Sequence, residues 1–303
     1  MGNFPLFPQV CGPDINNCIF PQNDRKTPYV NGSVISEPGY FSIKLSTGIQ
    51  CVRRSARVSS KLSVARADMT TTNHTALYRF TFPAAENTSL SPLILADTID
   101  LPTSRINATT SVNGDTGRIT GSGTFVPSFG LGTYDLHFCA DFEGASIRDT
   151  GVSSRSPSAI SSRVLTLLKV FVNTRGGSQP KTVFTTPDGS DSGKSQNPVG
   201  TWVWFDQPTN GQILARVGVS FVSIDQACAN AEREIPSFAF DEVRTAASKA
   251  WIEKLEVIYI VPGGAPDSLL KVFWSGFYRS MLSPQDYTGE NPLWNSTEPY
   301  WDR

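Results

Sequence analysis

The stretch that decides the architecture is KVFWSGFYRSMLSPQDYTGENPLW, residues 271–294. Its first half has helical spacing: Leu269, Val272, Phe273, Gly276, Phe277, Ser280 and Met281 recur every three or four residues. Asp267 stands where an N-cap is expected, and Pro284 stops the helix after Ser283. Residues 285–292 are polar, punctuated by Gly289 and Pro292, and carry Asp286 and Glu290. A loop of that kind at a helix end often lines a cleft. An ordinary surface loop has the same composition, and spacing alone favours that plainer reading.

Upstream, the periodicity is different. In residues 75–83, Ala76, Tyr78, Phe80 and Phe82 take one face, and Arg79 and Thr81 the other. A turn at Asn113-Gly114-Asp115 leads into a Gly-rich strand over 118–126. Residues 135–142 alternate Leu136, Phe138, Ala140 and Phe142 inward with Asp135, His137 and Asp141 outward. Trp202 and Trp204 share a face, as do Ile213, Ala215, Val217, Val219 and Phe221. Repeated half-buried strands with turns between them predict a β-sandwich. After Asp225 the period lengthens: a short helix over 226–234, then a longer one over 240–255 with Phe240, Val243, Ala247, Trp251 and Leu255 as its apolar stripe. Residues 257–261 read as a short β-like run broken by Pro262-Gly263-Gly264.

With 303 residues there is chain for a substantial core. The formal net charge of −1 implies no polyelectrolyte partner, so nucleic acid is not expected. No apolar run reaches membrane-spanning length, so no membrane partner is expected either. Met1-Gly2-Asn3-Phe4 does not open as a signal peptide, and Leu6 breaks the myristoylation pattern. Asn31, Asn73, Asn87, Asn107 and Asn295 nevertheless each open an N-x-Ser/Thr triplet, though Ser- and Thr-rich chains produce such triplets by chance. Cys11 and Cys18 flank a turn-rich loop, with two free thiols or, in an oxidising compartment, a disulfide as the alternatives.

Three strings carry a family resemblance: residues 2–34 (GNFPLFPQVCGPDINNCIFPQNDRKTPYVNGSV), 216–236 (RVGVSFVSIDQACANAEREIP) and 273–294 (FWSGFYRSMLSPQDYTGENPLW). In this order they resemble glycoside hydrolase family 92, exo-acting α-mannosidases. The resemblance implies a large β-sandwich (a supersandwich), linker helices and an (α/α)6 barrel, of which only the first helix falls before Arg303. The expected layout is a sandwich domain over 1–235, linker helix and short strand over 236–266, and the start of the catalytic barrel over 267–303. The resemblance also implies an inverting, calcium-dependent hydrolysis of mannose-containing glycans and glycoproteins by a secreted parent. Its calcium ligands are not assigned to residues of this chain.

Two segments interrupt the resemblance. Residues 51–67 (CVRRSARVSSKLSVARA) and 152–169 (VSSRSPSAISSRVLTLLK) are basic and free of acids. A solvated face and a flexible linker are the common explanations for such runs. Here the resemblance continues if both are removed, which favours intron sequence translated in frame and predicts exposed, poorly packed excursions. The resemblance also implies a further stretch before Gly2, so Met1 is expected to be an internal start, and Trp301-Asp302-Arg303 is expected to lie beside a third junction.

Glycoside hydrolysis needs one carboxylic acid to protonate the leaving oxygen and a carboxylate to activate water, about 6.5–9.5 Å apart in an inverting enzyme. The resemblance implies that both lie beyond residue 303, so no catalytic residue is assigned within the chain. Tyr287, Glu290 and Asn291 are the candidate substrate contacts. Asp286 has no matched role. Asp141 with Glu143, and Asp225 with Glu232 and Glu234, are alternative carboxylate groups whose plain reading is salt-bridged surface. With only His74 and His137, a Ser-His-Asp arrangement is poorly supplied, and Gly121-Ser122-Gly123 in a hairpin is structural. The chain is thus expected to be the carbohydrate-binding and domain-packing part of an exo-α-1,2-mannosidase for N-glycan-type mannosides, inactive alone. Alternatives are a carbohydrate-binding module displaying Trp202, Trp204 or Tyr287, and an N-glycan-releasing amidase.

Overall fold

In a computed structural model, residues 3–11, 15, 18, 27–45, 66–82, 91–97, 104–127, 131–155, 168–173, 181–185, 199–261 and 263–282 are described. Fourteen strands come first: β1 (Leu6–Cys11), β2 (Ile35–Glu37), β3 (Tyr40–Lys44), β4 (Arg66–Thr71), β5 (Thr75–Thr81), β6 (Ser91–Asp97) and β7 (Arg105–Val112). These are followed by β8 (Ile119–Phe125), β9 (Tyr134–Glu143), β10 (Ile147–Arg155), β11 (Leu168–Asn173), β12 (Lys181–Thr185), β13 (Val199–Phe205) and β14 (Gln212–Ser220). Among the described residues three helices follow: α1 (Ile224–Glu234), α2 (Phe240–Leu255) and α3 (Asp267–Ser280). The strands form two antiparallel sheets, one of five in the order β1-β6-β13-β10-β11 and one of nine in the order β12-β7-β8-β9-β14-β5-β4-β3-β2.

The sheets face each other across one apolar core. Ile94, Ala96, Val152, Val203 and Phe205 come from the smaller sheet; Phe80, Val112, Ile119, Phe125, Phe138, Ala140, Ile213, Ala215 and Val217 come from the larger. The expected alternation therefore holds in β5, β9 and β14, and the sandwich forms because each strand presents its apolar side to the opposite sheet. Asn113 shapes the β7–β8 turn, its Oδ1 accepting from the N–H groups of Asp115 and Thr116. Gly117 completes the turn at φ 69°.

The outer faces are not solvent. On the smaller sheet Trp202 and Trp204 are buried with Leu93, Leu95 and Cys18 against Phe7 and Ile15. On the larger sheet Leu77 joins Tyr40, Ile235 and Phe240 in a second apolar cluster under α2. Alternation assigned Leu77 to the polar side of its strand, but covering by a helix makes that side interior as well.

Helix α1 seats directly on β14. A Cβ added to Gly218 would lie 2.2 Å from the Ala227 carbonyl oxygen, so only glycine admits this approach. Ser223 caps α1, its hydroxyl accepting from the Gln226 N–H. The disulfide Cys139–Cys228 then ties β9 to α1 across 89 residues of sequence.

Four expectations need correction. Asp267 is the first residue of α3 and lies in its first turn; the N-cap is Pro266, with no side-chain capping bond. Residues 257–261 form no strand, because no neighbouring strand offers them a ladder; Val257, Tyr259 and Val261 are exposed. The basic run over 152–169 is not an excursion at its ends: β10 continues to Arg155 and pairs with β11 from Thr150↔Asn173 to Arg155↔Leu168. Likewise Arg66 and Ala67 begin β4, with Ala67 in the core. Ladder pairing uses backbone groups that every residue but proline supplies, so polar side chains do not keep these flanks out of the sheets. Residues 51–65 and 156–167 lie outside the described residues.

The apolar stripe of α2 divides between two supports. Phe240 and Val243 pack on the sandwich, while Trp251 meets Tyr278 of α3 edge-on at 4.8 Å. Helix α3 buries none of its residues among those described, and Leu269, Val272 and Phe273 are exposed.

Candidate functional site

Tyr287, Glu290 and Asn291, with Asp286, fall in residues 283–303 and lie outside the described residues. The other candidates are all placed. Trp202 and Trp204 offer no platform for a sugar, because both are core side chains at 0% and 6% exposure. Glu143 is exposed at the end of β9, and Asp225 lies in the first turn of α1. Asp141, Glu232 and Glu234 converge on one feature, the seam between the nine-stranded sheet and α1.

The seam has two polar anchors. In the first, Arg118 Nε donates to Asp141 Oδ1 at 2.7 Å and its Nη2 reaches Glu232 Oε1 at 2.6 Å. Arg216 Nε donates to Asp141 Oδ2 at 3.0 Å, and its Nη1 donates to the Ile235 carbonyl at 2.6 Å. Arg216 thereby satisfies a carbonyl at the C-terminal end of α1, where a cation also meets the negative end of the helix dipole.

In the second anchor the β4–β5 turn grips Glu234. The Thr72 hydroxyl and the His74 N–H donate to Oε2 at 2.6 and 2.9 Å, and His74 Nδ1 lies 2.6 Å from Oε1. Burial pushes the Glu234 carboxyl up, but the bonds from the His74 ring, the Thr72 hydroxyl and the His74 N–H outweigh it and hold it at about 2, below the ordinary 4.5. The folded value is the lower one, so the stabilisation is fully present above pH 4.5 and is lost as pH falls from there towards 2. It amounts to up to about 3 kcal/mol. Denaturant unfolding followed from neutral to acid pH should show a steeper loss for the parent chain than for Glu234→Gln, the curves converging at the acid end. Parallel curves would remove Glu234 from the acid response.

Beside the seam a third cluster holds α2. Asp68, buried in β4, accepts from the Tyr40 hydroxyl at 2.7 Å, from Arg66 Nε at 2.8 Å and from Arg79 Nε at 3.3 Å. Burial pushes its carboxyl up, and the hydrogen bonds from Tyr40, Ser42 and Arg66 bring it below the ordinary carboxylate range. Arginines then stack on rings across the interface: Arg79 on Phe240 at 4.2 Å, Arg244 on Tyr40 at 3.7 Å and Arg216 on Phe238 at 5.1 Å. Each such stack contributes about 0.5–2 kcal/mol.

Chemically, these groups bind an interface. A general acid for glycoside cleavage must be protonated near neutral pH, which needs a raised carboxyl. Glu234 and Asp68 are shifted the opposite way, and Asp141 is spent on two arginines. Calcium takes six to eight oxygen ligands, and among the described residues no three His, Cys, Asp or Glu side chains come together to begin such a shell. The described residues do not fit that ion.

The sequence reading of Asp141, Glu232 and Glu234 as salt-bridged acids holds, but their partners were not assigned from it. The pairing of His74 with Glu234 spans 160 residues, and the Cys139–Cys228 bridge joins cysteines with no common motif. The available signal was the outward position of Cys139 in an alternating strand, which marks a side chain facing whatever covers the sheet. Cys18 is also disulfide-bonded.

Residues 1–220 match the glycosyl hydrolase family 92 N-terminal domain, and residues 226–303 match the family 92 catalytic domain. An uncharacterized secreted glycosidase of Arthroderma benhamiae is 44% identical over 309 residues, covering 100% of this chain and 35% of that protein. The chain therefore spans about a third of the length of this relative. Among solved structures, a family 92 inverting mannosidase of Bacteroides thetaiotaomicron superposes with a TM-score of 0.64 at 15% identity, covering 93% of this chain and 30% of that one. A second family 92 α-mannosidase of the same organism gives 0.62 at 17% identity, with coverages of 94% and 32%. At such identities the likeness is one of fold.

Proposed function

This chain belongs to glycosyl hydrolase family 92, and from that membership we propose that it is the carbohydrate-binding and domain-packing part of an exo-α-1,2-mannosidase acting on N-glycan-type mannosides. The observation that carries the reading is the order of the two matched segments, sandwich first and catalytic segment directly after it. The division of the chain at 235 and 266 into sandwich, linker and barrel helix belongs to the same proposal, as does the secretory location of the protein. Calcium, on this reading, belongs to the full-length family enzyme, with its ligands in this chain unassigned.

The described carboxylates support a packing role: those at the seam are committed to arginine, histidine and hydroxyl partners. Substrate contact falls to Tyr287, Glu290 and Asn291, which follow α3 in the sequence. The proton donor and the base of an inverting hydrolysis are placed in the part of the relatives' length that this chain does not span.

The test is release of free mannose from an α-1,2-linked mannobiose by this chain and by its Asp286→Asn and Glu290→Gln variants. No turnover is expected from any of them, with or without added calcium. Turnover by the parent that both substitutions abolish would place the catalytic pair inside the sequence. Release of an intact glycan from a glycopeptide would instead identify an amidase.

A further inference from the structure

Three of the five N-x-Ser/Thr triplets lie in described residues, and in all three the asparagine is exposed: Asn31, Asn73 and Asn107. Their settings differ. Asn31 opens the turn before β2, where Gly32 adopts φ 75° with nothing within 4 Å of its Cβ position. Asn73 is at the tip of the β4–β5 turn, between the two residues that grip Glu234. Asn107 is within β7, just past a register shift between Arg105 and Asn107, and on the outer side of the strand: Ala108, Thr110 and Val112 are buried and Asn107 is not.

Placement on the sheet separates these positions from the parts that the fold uses. Helices α1 and α2 cover the outer faces of β9, β14, β5, β4 and β3. Asn107 lies on β7, beyond that cover. Asn31 and Asn73 sit in turns rather than under a helix. The side chains of all three asparagines are exposed. The second observation is redox state: Cys139 is bonded to Cys228 and Cys18 is also in a disulfide, which requires an oxidising compartment of the kind where N-linked oligosaccharides are attached.

We propose that Asn31, Asn73 and Asn107 are N-glycosylation sites. In each, the side-chain amide nitrogen attacks the anomeric carbon of an oligosaccharide carried on a lipid pyrophosphate. The new N–C bond forms as the C–O bond to the pyrophosphate breaks; the amide loses one proton and the lipid pyrophosphate leaves. No oxidant or reductant is involved. Thr75, the hydroxyl residue of the Asn73 triplet, is only 3% exposed in the folded chain. Transfer to Asn73 therefore precedes the closing of its turn on Glu234, whereas the open turn at Asn31 has no such limit.

The test is site mapping on the protein isolated from the cells that make it. Treatment with a glycan-releasing amidase in heavy-oxygen water converts each modified asparagine to labelled aspartate, read by peptide mass. Label at all three positions is expected, with the intact mass falling by one glycan in each of Asn31→Gln, Asn73→Gln and Asn107→Gln. Because mapping uses the unsubstituted protein, a variant that fails to fold does not affect it. An unlabelled residue overturns the assignment at that residue, and three unlabelled residues in protein carrying the Cys139–Cys228 bridge overturn the whole. This outcome is independent of the mannosidase reading, since it does not depend on what the protein cleaves.

Discussion

Replacing Gly218 by alanine is expected to cost roughly 3 kcal/mol or more, and replacement by valine to prevent folding. The added Cβ of alanine would sit 2.2 Å from the Ala227 carbonyl oxygen, 2.8 Å from the Ala231 Cβ and 2.9 Å from the Ala231 nitrogen. Two of these three neighbours are backbone atoms, so no side-chain rotation relieves the clash. Helix α1 would have to lift from β14, loosening Arg216 and Asp141 with it. Ala231→Gly added to Gly218→Ala should recover little, because the Ala227 oxygen remains. Gly276→Ala is the matching control: it is helical, with nothing within 4 Å of the new atom, and should raise stability by up to about 1 kcal/mol. Denaturant midpoints with unchanged slopes would measure all of these. A Gly218→Ala chain as stable as the parent would mean that α1 does not rest on β14 as described.

Loss of the Cys139–Cys228 bridge should be comparably severe. A cross-link closing a loop of 89 residues restricts the unfolded chain by about 4–5 kcal/mol on the chain-entropy account, a large share of the ordinary stability of a domain. The double variant Cys139→Ser, Cys228→Ser avoids the new unpaired thiol that either single substitution would leave, and should unfold at much lower denaturant in oxidising buffer. A midpoint shift worth less than about 1 kcal/mol would show that packing alone holds α1.

The strands that were legible, β5, β8, β9, β13 and β14, were so because their signal is local. Ala76, Tyr78 and Phe80, or Leu136, Phe138 and Ala140, declare one buried face within a few residues of each other. The helices were legible for the same reason, and the bounds of α2 follow directly from the Phe240–Leu255 stripe. What covers the sheets was not legible. Leu77, Arg79 and Arg216 sit at outward positions that pattern alone assigns to water, yet Phe238, Phe240 and Ile235 lie over them. Those partners come from the end of α1, its connection to α2 and the start of α2, more than a hundred residues away for Leu77 and Arg79, and contacts at that range leave no periodicity. Residues 257–261 show the converse: β-like composition makes no strand without an edge to pair with. At the candidate sugar loop, Tyr287, Glu290 and Asn291 were singled out by resemblance, since neither charge nor spacing distinguishes them from any polar turn.

The boundary between the two family segments, after residue 220 and before residue 226, marks a unit of inheritance and not a unit of folding. Severing the chain there would strip the sandwich of its own lid. Cys139 would be left as a thiol, Gly218 would line an empty groove, and Leu77 would face water. The carboxylates that neutralise Arg118 and hold the β4–β5 turn would be reduced to Asp141 alone. Anyone transplanting this sandwich onto another catalytic segment must therefore carry α1 and α2 with it, and make the join after Leu255, because Val243 and Arg244 also rest on the sheet.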